Sequence, residues 1–563
     1  MKKTIMLLLS VAVLTTVSCS KGFEELNTNP NQLSEINPEY LFNTSVYRTL
    51  DASCGSIKKI MLDNYVQYCY GQTNQLGRYG NVPTSNSSYY KNFYNYALLP
   101  LQFIIDEKTE TAEFANRVRI ARIWLYYLYS QVESIWGPVP MSQALKGTTS
   151  VPYDSEPEIY KTILEGLKEC ADGMDQDGDV FIADPVFATS SGKSDLVKWV
   201  KFANSLRLRL AVRICNADKT LATTHIAELM GDESRMMESN ADNCIVKWGD
   251  NEQTRNYYYD YFIVQTVNLD KANSAGECFL MHTAPYNDPR LPKFFTECKS
   301  AQMPEGFHWA PYWGKPKTDH TPVSGLLDSA NPHAGIPATA YSLMLDSYFA
   351  ADYGQMIMSY AELCLLKAEV EHLHLGTGSK DVRVYYEDGI RASMQQFGVT
   401  DAAAISAYMV EDGIEYGSYS DIEGTPEGEK YFMDYLGLCS GAIKEDEEDP
   451  IYHQIIMQQY IAMFNQALDA WTLIRRSQVL DIVPHYQPEL GYGAVNAGSN
   501  EVEFSYVPQR MMYPSSELQD NAVEVGKAIA LLDGGDKMDT RLWWAKPQRI
   551  NKNLQQLVEN YKQ

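Results

Sequence analysis

The chain has 563 residues, a length that ordinarily divides into about three or four domains, although one large elaborated domain is also compatible with it. Hydrophobic residues make up 45% and the mean hydropathy is −0.32, the balance of a chain that buries a core. With 72 acidic against 47 basic residues the formal charge is −25, which excludes broad nucleic-acid binding and disfavours electrostatic attachment to anionic lipid. The 39 Tyr, with 9 Trp and 18 Phe, suit either a surface for amphipathic ligands or a tightly packed helical core.

Residues 1–19 read as an export signal: Lys2 and Lys3, the apolar run Ile5–Leu14, then small residues up to Cys19. The apolar run is shorter than the roughly 20 residues that span a bilayer. Thr16-Val17-Ser18-Cys19 resembles a lipobox, in which Cys19 is lipidated and becomes the mature N-terminus; Thr16 stands where Leu is usual. Ordinary signal-peptidase cleavage is the alternative. The expectation is a signal peptide over 1–18 and a single domain over 19–563, anchored by lipid without spanning the membrane. The remaining cysteines, at 54, 69, 170, 215, 244, 278, 298, 364 and 439, form no CxxC pair and no zinc spacing. Cys215 and Cys364 fall on helical apolar stripes, as small buried hydrophobes do.

Helical periodicity begins with Val118, Ala121, Leu125, Leu128, Tyr129 and Val132. It returns at Leu196, Trp199, Val200, Ala203, Leu206, Leu210 and Ile214, and again from Ile357 through Tyr360, Ala361, Cys364 and Leu365 to Ala368. Met457, Tyr460, Ile461, Phe464, Leu468 and Trp471 continue it. Each set is one face of an amphipathic helix. With no comparable series of alternating strands, the fold class is mainly α. Long polar segments at 71–92, 172–195, 249–346 and 476–516 separate the helices, and loops of such length are usually functional.

Signatures of catalysis fail on inspection. Gly192-Lys193-Ser194 ends like a phosphate loop, but Phe187 stands where that loop needs Gly. Glu369-x-x-His372, with His374 beyond it, has no second such motif to complete a metal bundle. Asp175, Asp177 and Asp179 alternate like the start of a calcium loop. Val180 and Val186 then occupy its sixth and twelfth positions, so calcium is a weak candidate and no cofactor is expected. GxSxG and HExxH are absent. A glycoside hydrolase with an unrecognised carboxylate pair remains the enzymatic rival.

Several segments resemble the SusD/RagB outer-membrane lipoproteins of Bacteroidota. They include Phe23-Glu24-Glu25-Leu26-Asn27-Thr28-Asn29-Pro30-Asn31 near the N-terminus and the helix Lys198–Ala211. Asp288-Pro289-Arg290-Leu291, Ser359–Glu369, Gly389–Met394 and Ala470–Arg476 follow in order, then Val507–Pro514, Gly534-Gly535-Asp536 and Leu542-Trp543-Trp544. Arg475 and Arg476 end a helix, where they favour its dipole and reach loop carbonyls. The resemblance implies a SusD-like α-helical fold built on tetratricopeptide-like helix pairs, an α-solenoid scaffold with long loop insertions. It further implies a non-enzymatic cell-surface lipoprotein of the outer membrane that delivers a nutrient to a SusC-like TonB-dependent transporter. Glycan oligosaccharides are the first expectation for the ligand and peptides the second.

Sugar recognition needs aromatic faces for pyranose C–H groups and amide or guanidinium donors for hydroxyls. The family's ligand loop corresponds regionally to 71–92, which offers Asn74, Gln75, Arg78, Tyr79, Asn81, Tyr89 and Tyr90. The long insertion offers Tyr257, Tyr258, Tyr259, Trp309, Tyr312 and Trp313. For each aromatic, packing against the scaffold is the competing explanation.

Overall fold

Short polar side chains set most of the helix starts. Asp195, Asp218, Ser359, Asp381, Asp401 and Asp449 each accept a hydrogen bond from a first-turn backbone N–H, the N-cap chemistry that fills an otherwise orphaned donor. Ser155 and Glu158 close a reciprocal capping box. The computed structural model describes residues 37–49, 63–70, 83–148, 150–249, 254–256, 259, 274–303, 309–315, 340–420, 441–482 and 507–546.

In chain order the helices are α1 (Pro38–Thr49), α2 (Asp63–Val66), α3 (Pro83–Asn92), α4 (Leu99–Lys108), α5 (Ala115–Trp136), α6 (Glu156–Asp172), α7 (Leu196–Arg213) and α8 (Lys219–Gly231). They continue with α9 (Glu277–Met281), α10 (Leu291–Phe294), α11 (Tyr360–His372), α12 (Val382–Gln396), α13 (Ala402–Tyr408), α14 (Pro450–Ala462), α15 (Ala467–Ser477), α16 (Ser515–Asp520) and α17 (Ala522–Leu531). A π-helical turn, Phe93–Leu98, joins α3 to α4. Strands are few and short: β1 (Cys69–Tyr70) pairs antiparallel with β3 (Ser274–Ala275), and β2 (Cys244–Val246) with β4 (Gln355–Met358). The protein is mainly α, as its periodicity requires.

Successive helices pack on one another: α4 on α5, α5 on α6, α6 on α7 and α7 on α8. In the second half α11 packs on α12 and α14, and α14 on α15, while α7 against α11 joins the halves. Glycine permits the closest approach: a Cβ on Gly389 of α12 would come within 2.5 Å of the Leu365 side chain on α11. The junction of the halves is also ionic. Arg209 of α7 donates from Nη2 to Glu362 of α11 at 2.6 Å and lies 3.3 Å from Asp469 of α15. All three side chains are buried, so each charge depends on its partners for solvation. Arg475 ends α15 by donating to the carbonyls of Ser134 and Gln509 at 2.8 and 2.7 Å, whereas Arg476 turns to the Glu369 carboxylate.

Two helical stripes end differently from their periodicity. Ile357 belongs to β4, because Ser359 caps α11 and Tyr360 is its first residue. The stripe from Met457 to Trp471 breaks between α14 and α15, where Asn465 adopts a left-handed backbone with φ 69°. Part of the 71–92 segment is helix, since α3 begins at Pro83. Seven cysteines lie among the described residues, all buried and none in a disulfide. Among the described residues no helix is long and apolar enough to cross a membrane.

Candidate ligand-binding site

The two stretches proposed from sequence are anchored on one small hydrogen-bonded frame. Cys69 and Tyr70 of β1 lead directly into residue 71, and they pair with Ala275 and Ser274 of β3. Immediately beyond β3, Gly276 bridges Lys315, with Lys315 N–H donating to Ala275 and Glu277 N–H to Lys315. The chain from Trp309 to Lys315 thus runs beside the same strand. Ser342 completes the frame, donating its N–H to the Trp313 carbonyl at 2.9 Å and accepting from the Trp313 N–H at 3.1 Å. Gly276 is obligatory at this crossing, since a Cβ there would lie 2.2 Å from the Gln67 carbonyl oxygen.

The frame is tied to the helical scaffold through Tyr68. Its hydroxyl donates to the Tyr460 carbonyl at 2.6 Å, the Tyr460 hydroxyl donates to the Val66 carbonyl at 2.5 Å, and the two rings stack at 4.8 Å. On the C-terminal side of residues 71–82, Asn86 of α3 donates to the Met512 carbonyl at 2.8 Å and accepts from Trp136 Nε1 at 3.0 Å.

Asn74, Gln75, Arg78, Tyr79, Asn81 and Tyr257 lie outside the described residues, as does the lipid-anchor candidate Cys19. Tyr89 and Tyr90 belong to α3, not to a loop; both are buried and pack on Trp136 at 5.7 and 5.1 Å. Trp313 is 1% exposed and its ring packs on Tyr341 at 4.6 Å, in a small cluster with Cys298 and Ala340. It offers no open face for stacking. Trp309 and Tyr312 are each 9% exposed and belong to the main core. Burial raises the Tyr312 phenol above its ordinary value, with the Glu297 charge adding to the shift. Tyr259 is half-buried, with the Arg255 guanidinium 5.4 Å from its ring centre. Neighbouring Asn256 fixes that turn by donating to the Ala350 carbonyl at 3.1 Å.

The acidic turn has a structural task. Asp179 accepts from the backbone N–H groups of Asn116 and Arg117 at 2.9 and 3.1 Å, capping α5 from outside its own sequence. The helix needs this because Phe114, its N-cap residue, supplies no side-chain bond. Asp175 accepts from Asp177 N–H at 3.1 Å, and among the described residues no group of His, Cys, Asp or Glu is arranged to hold a metal ion. Glu369 accepts from Gln459 and Arg476, while His372 pairs with Asp449 at 2.8 Å.

Sequence reading missed one concavity altogether. It opens between α4, α5 and α6, occupies about 330 Å³, and is lined by helix residues, among them Gln102, Arg122 and Tyr126, and by Met141, Ser142 and Asp154 of the connection between α5 and α6. No motif marks them. A signal existed only in Gly166, a glycine in the middle of a helix, where one costs about 0.5–1 kcal/mol relative to Ala unless packing demands it.

The described residues form a scaffold of stacked helices with a few short strands. The chain belongs to the SusD-like family described as "starch-binding associating with outer membrane", which matches residues 30–514. It is similar in structure to a chitin-binding SusD homologue from Flavobacterium johnsoniae, at a TM-score of 0.71 and 19% identity, covering 91% of this chain and 99% of that one. A SusD homologue from Parabacteroides distasonis gives a TM-score of 0.70 at 20% identity over 90% and 98% of the two chains. One from Bacteroides uniformis gives 0.66 at 22% identity over 90% and 99%. None of the curated proteins compared with the chain matches it.

Proposed function

We infer that the protein binds oligosaccharides at the cell surface and hands them, uncleaved, to a SusC-like TonB-dependent transporter of the outer membrane. The observation that carries the reading is the family match over 30–514, with its starch-binding, outer-membrane description. Relatives described as chitin-binding favour a glycan over a peptide. Lipidation at Cys19 would hold the mature chain at the membrane.

The stretch 71–82, with Asn74, Gln75, Arg78, Tyr79 and Asn81, is the proposed contact region, together with Tyr257 and Tyr259. Aromatic faces would take the C–H side of a sugar ring, and the amide and guanidinium groups its hydroxyls. Glu133 and Glu156, the adjacent carboxyl groups that most invite a hydrolytic reading, are 0% and 5% exposed and unreachable by a polymer.

Titration calorimetry with chito- and malto-oligosaccharides tests the site. Replacing Arg78 and Tyr79 together by Ala is expected to weaken binding about tenfold or more, equivalent to about 1.4 kcal/mol. Unchanged affinity would remove that stretch from the site. Saturable binding of oligopeptides with none of sugars would change the ligand class.

A further inference from the structure

We propose that the concavity between α4, α5 and α6 is a second ligand site, shaped for a single pyranose ring. Its volume is about 330 Å³, at the low end of the roughly 300–1,000 Å³ typical of small-molecule sites. It therefore takes a sugar unit and not a chain. The floor is apolar, made by Ile105, Leu125 and Ile159, all buried. Tyr126 forms an aromatic wall beside it.

Tyr126 is held in place by a deliberate gap. A Cβ on Gly166 of α6 would lie 2.4 Å from the Tyr126 ring, so the helix gives up propensity where the ring passes. Next to it the Tyr129 hydroxyl is buried without a hydrogen-bond partner in the protein.

The rim defines the ligand chemistry. Arg122 supplies a cation, Gln102 and Thr162 supply neutral polar groups, and Asp154 and Glu158 supply carboxylates. Asp154 already accepts from Met141 N–H, Ser142 N–H and the Ser142 hydroxyl, so it is a poor seat for a cationic ligand. An anion would face two carboxylates in a chain of net charge −25. A neutral ring with an apolar face and several hydroxyls matches floor, wall and rim together. Glu158 is unsuited to protonate a leaving group, because hydrogen bonds from Ser155 hold its carboxyl below the usual range.

The test uses the full chain and three probes: glucose, N-acetylglucosamine and choline, read by saturation-transfer NMR. Saturable binding of at least one sugar is expected, with choline not bound. Thr162→Trp, at an exposed position on the rim, should fill the space and abolish the signal; Arg122→Gln should weaken it several-fold. Both variants should melt like the unaltered protein, and if Thr162→Trp does not, Arg122→Gln decides. No saturable sugar binding, sugar binding indifferent to these changes, or binding of choline instead would each overturn the proposal. Retention on polysaccharide should survive Thr162→Trp; its loss would make this groove the main site and end its reading as a second one. A protein that binds the monosaccharides here yet is not retained on any polysaccharide would leave this site standing and remove the function proposed above.

Discussion

The Arg290 guanidinium lies 2.7 Å from the Asp288 carboxylate, and neither side chain has any exposed surface. From this pair Arg290 reaches three helices, donating to Ser393 Oγ of α12 at 2.9 Å, the Tyr408 hydroxyl of α13 at 3.0 Å and Gln458 Oε1 of α14 at 2.9 Å. The Asp-Pro-Arg-Leu stretch is thus a rivet that holds the long insertion to the second half of the scaffold. Removing one member leaves a buried charge alone.

Arg290→Met is accordingly expected to destabilise the protein by about 3–5 kcal/mol. The double change Arg290→Met with Asp288→Leu should recover part of that loss, because no uncompensated charge remains. Denaturant unfolding of the four proteins measures the coupling; simple additivity would mean that the pair is not the rivet described.

A second expectation separates support from recognition. Trp313→Ala should cost about 3–5 kcal/mol, as for other buried aromatic side chains. The effect should appear in the unfolding midpoint, with the affinity for oligosaccharide unchanged while the protein is folded. A selective loss of affinity at unaltered stability would show that Trp313 meets the ligand.

Two groups of carboxyls give the stability opposing dependences on pH. Burial tends to raise Glu233, but hydrogen bonds from Lys367, Tyr385 and the Ser379 N–H outweigh it and bring the carboxyl to about 2. Its contribution is present above the ordinary value of 4.5 and is lost as pH falls from there toward about 2. Glu133 and Glu156 behave in the reverse sense. Burial pushes both above the usual range, and at Glu156 the Glu133 charge adds to the shift. Stability then declines as pH rises from the ordinary value of 4.5 through their raised folded values. Melting temperature followed across pH should therefore lose its acid limb in part in Glu233→Gln, at a cost of about 1–3 kcal/mol above that limb. Glu156→Gln should flatten the decline on the alkaline side. Variants that merely shift the whole curve would contradict these assignments.

Helix positions were legible wherever one face stayed apolar, as from Val118 to Val132 in α5 and from Leu196 to Leu210 in α7. Boundaries were less so. Nothing in the spacing of Ile357 separates a strand residue from the stripe it precedes, because Ile suits both faces. The break after Ala462 is marked by the left-handed Asn465 rather than by any loss of hydrophobicity. For the insertion, sequence did not reveal how each ring packs. Trp313 is buried because Ser342 and Tyr341 come back across it from 29 and 28 residues away, and no local pattern records that return. The groove beside Tyr126 was invisible for the same reason: it is made by three helices and the connection between two of them, and each contributes residues ordinary for its own surface.

The central claim is that this protein captures glycans without cutting them. The most direct measurement incubates the purified chain with insoluble chitin and with insoluble starch, then assays both the bound protein and the reducing ends released. The account predicts retention on at least one of the two polysaccharides, elution by the matching soluble oligosaccharide, and no rise in reducing ends. Release of reducing sugar, or no retention on either, would contradict it.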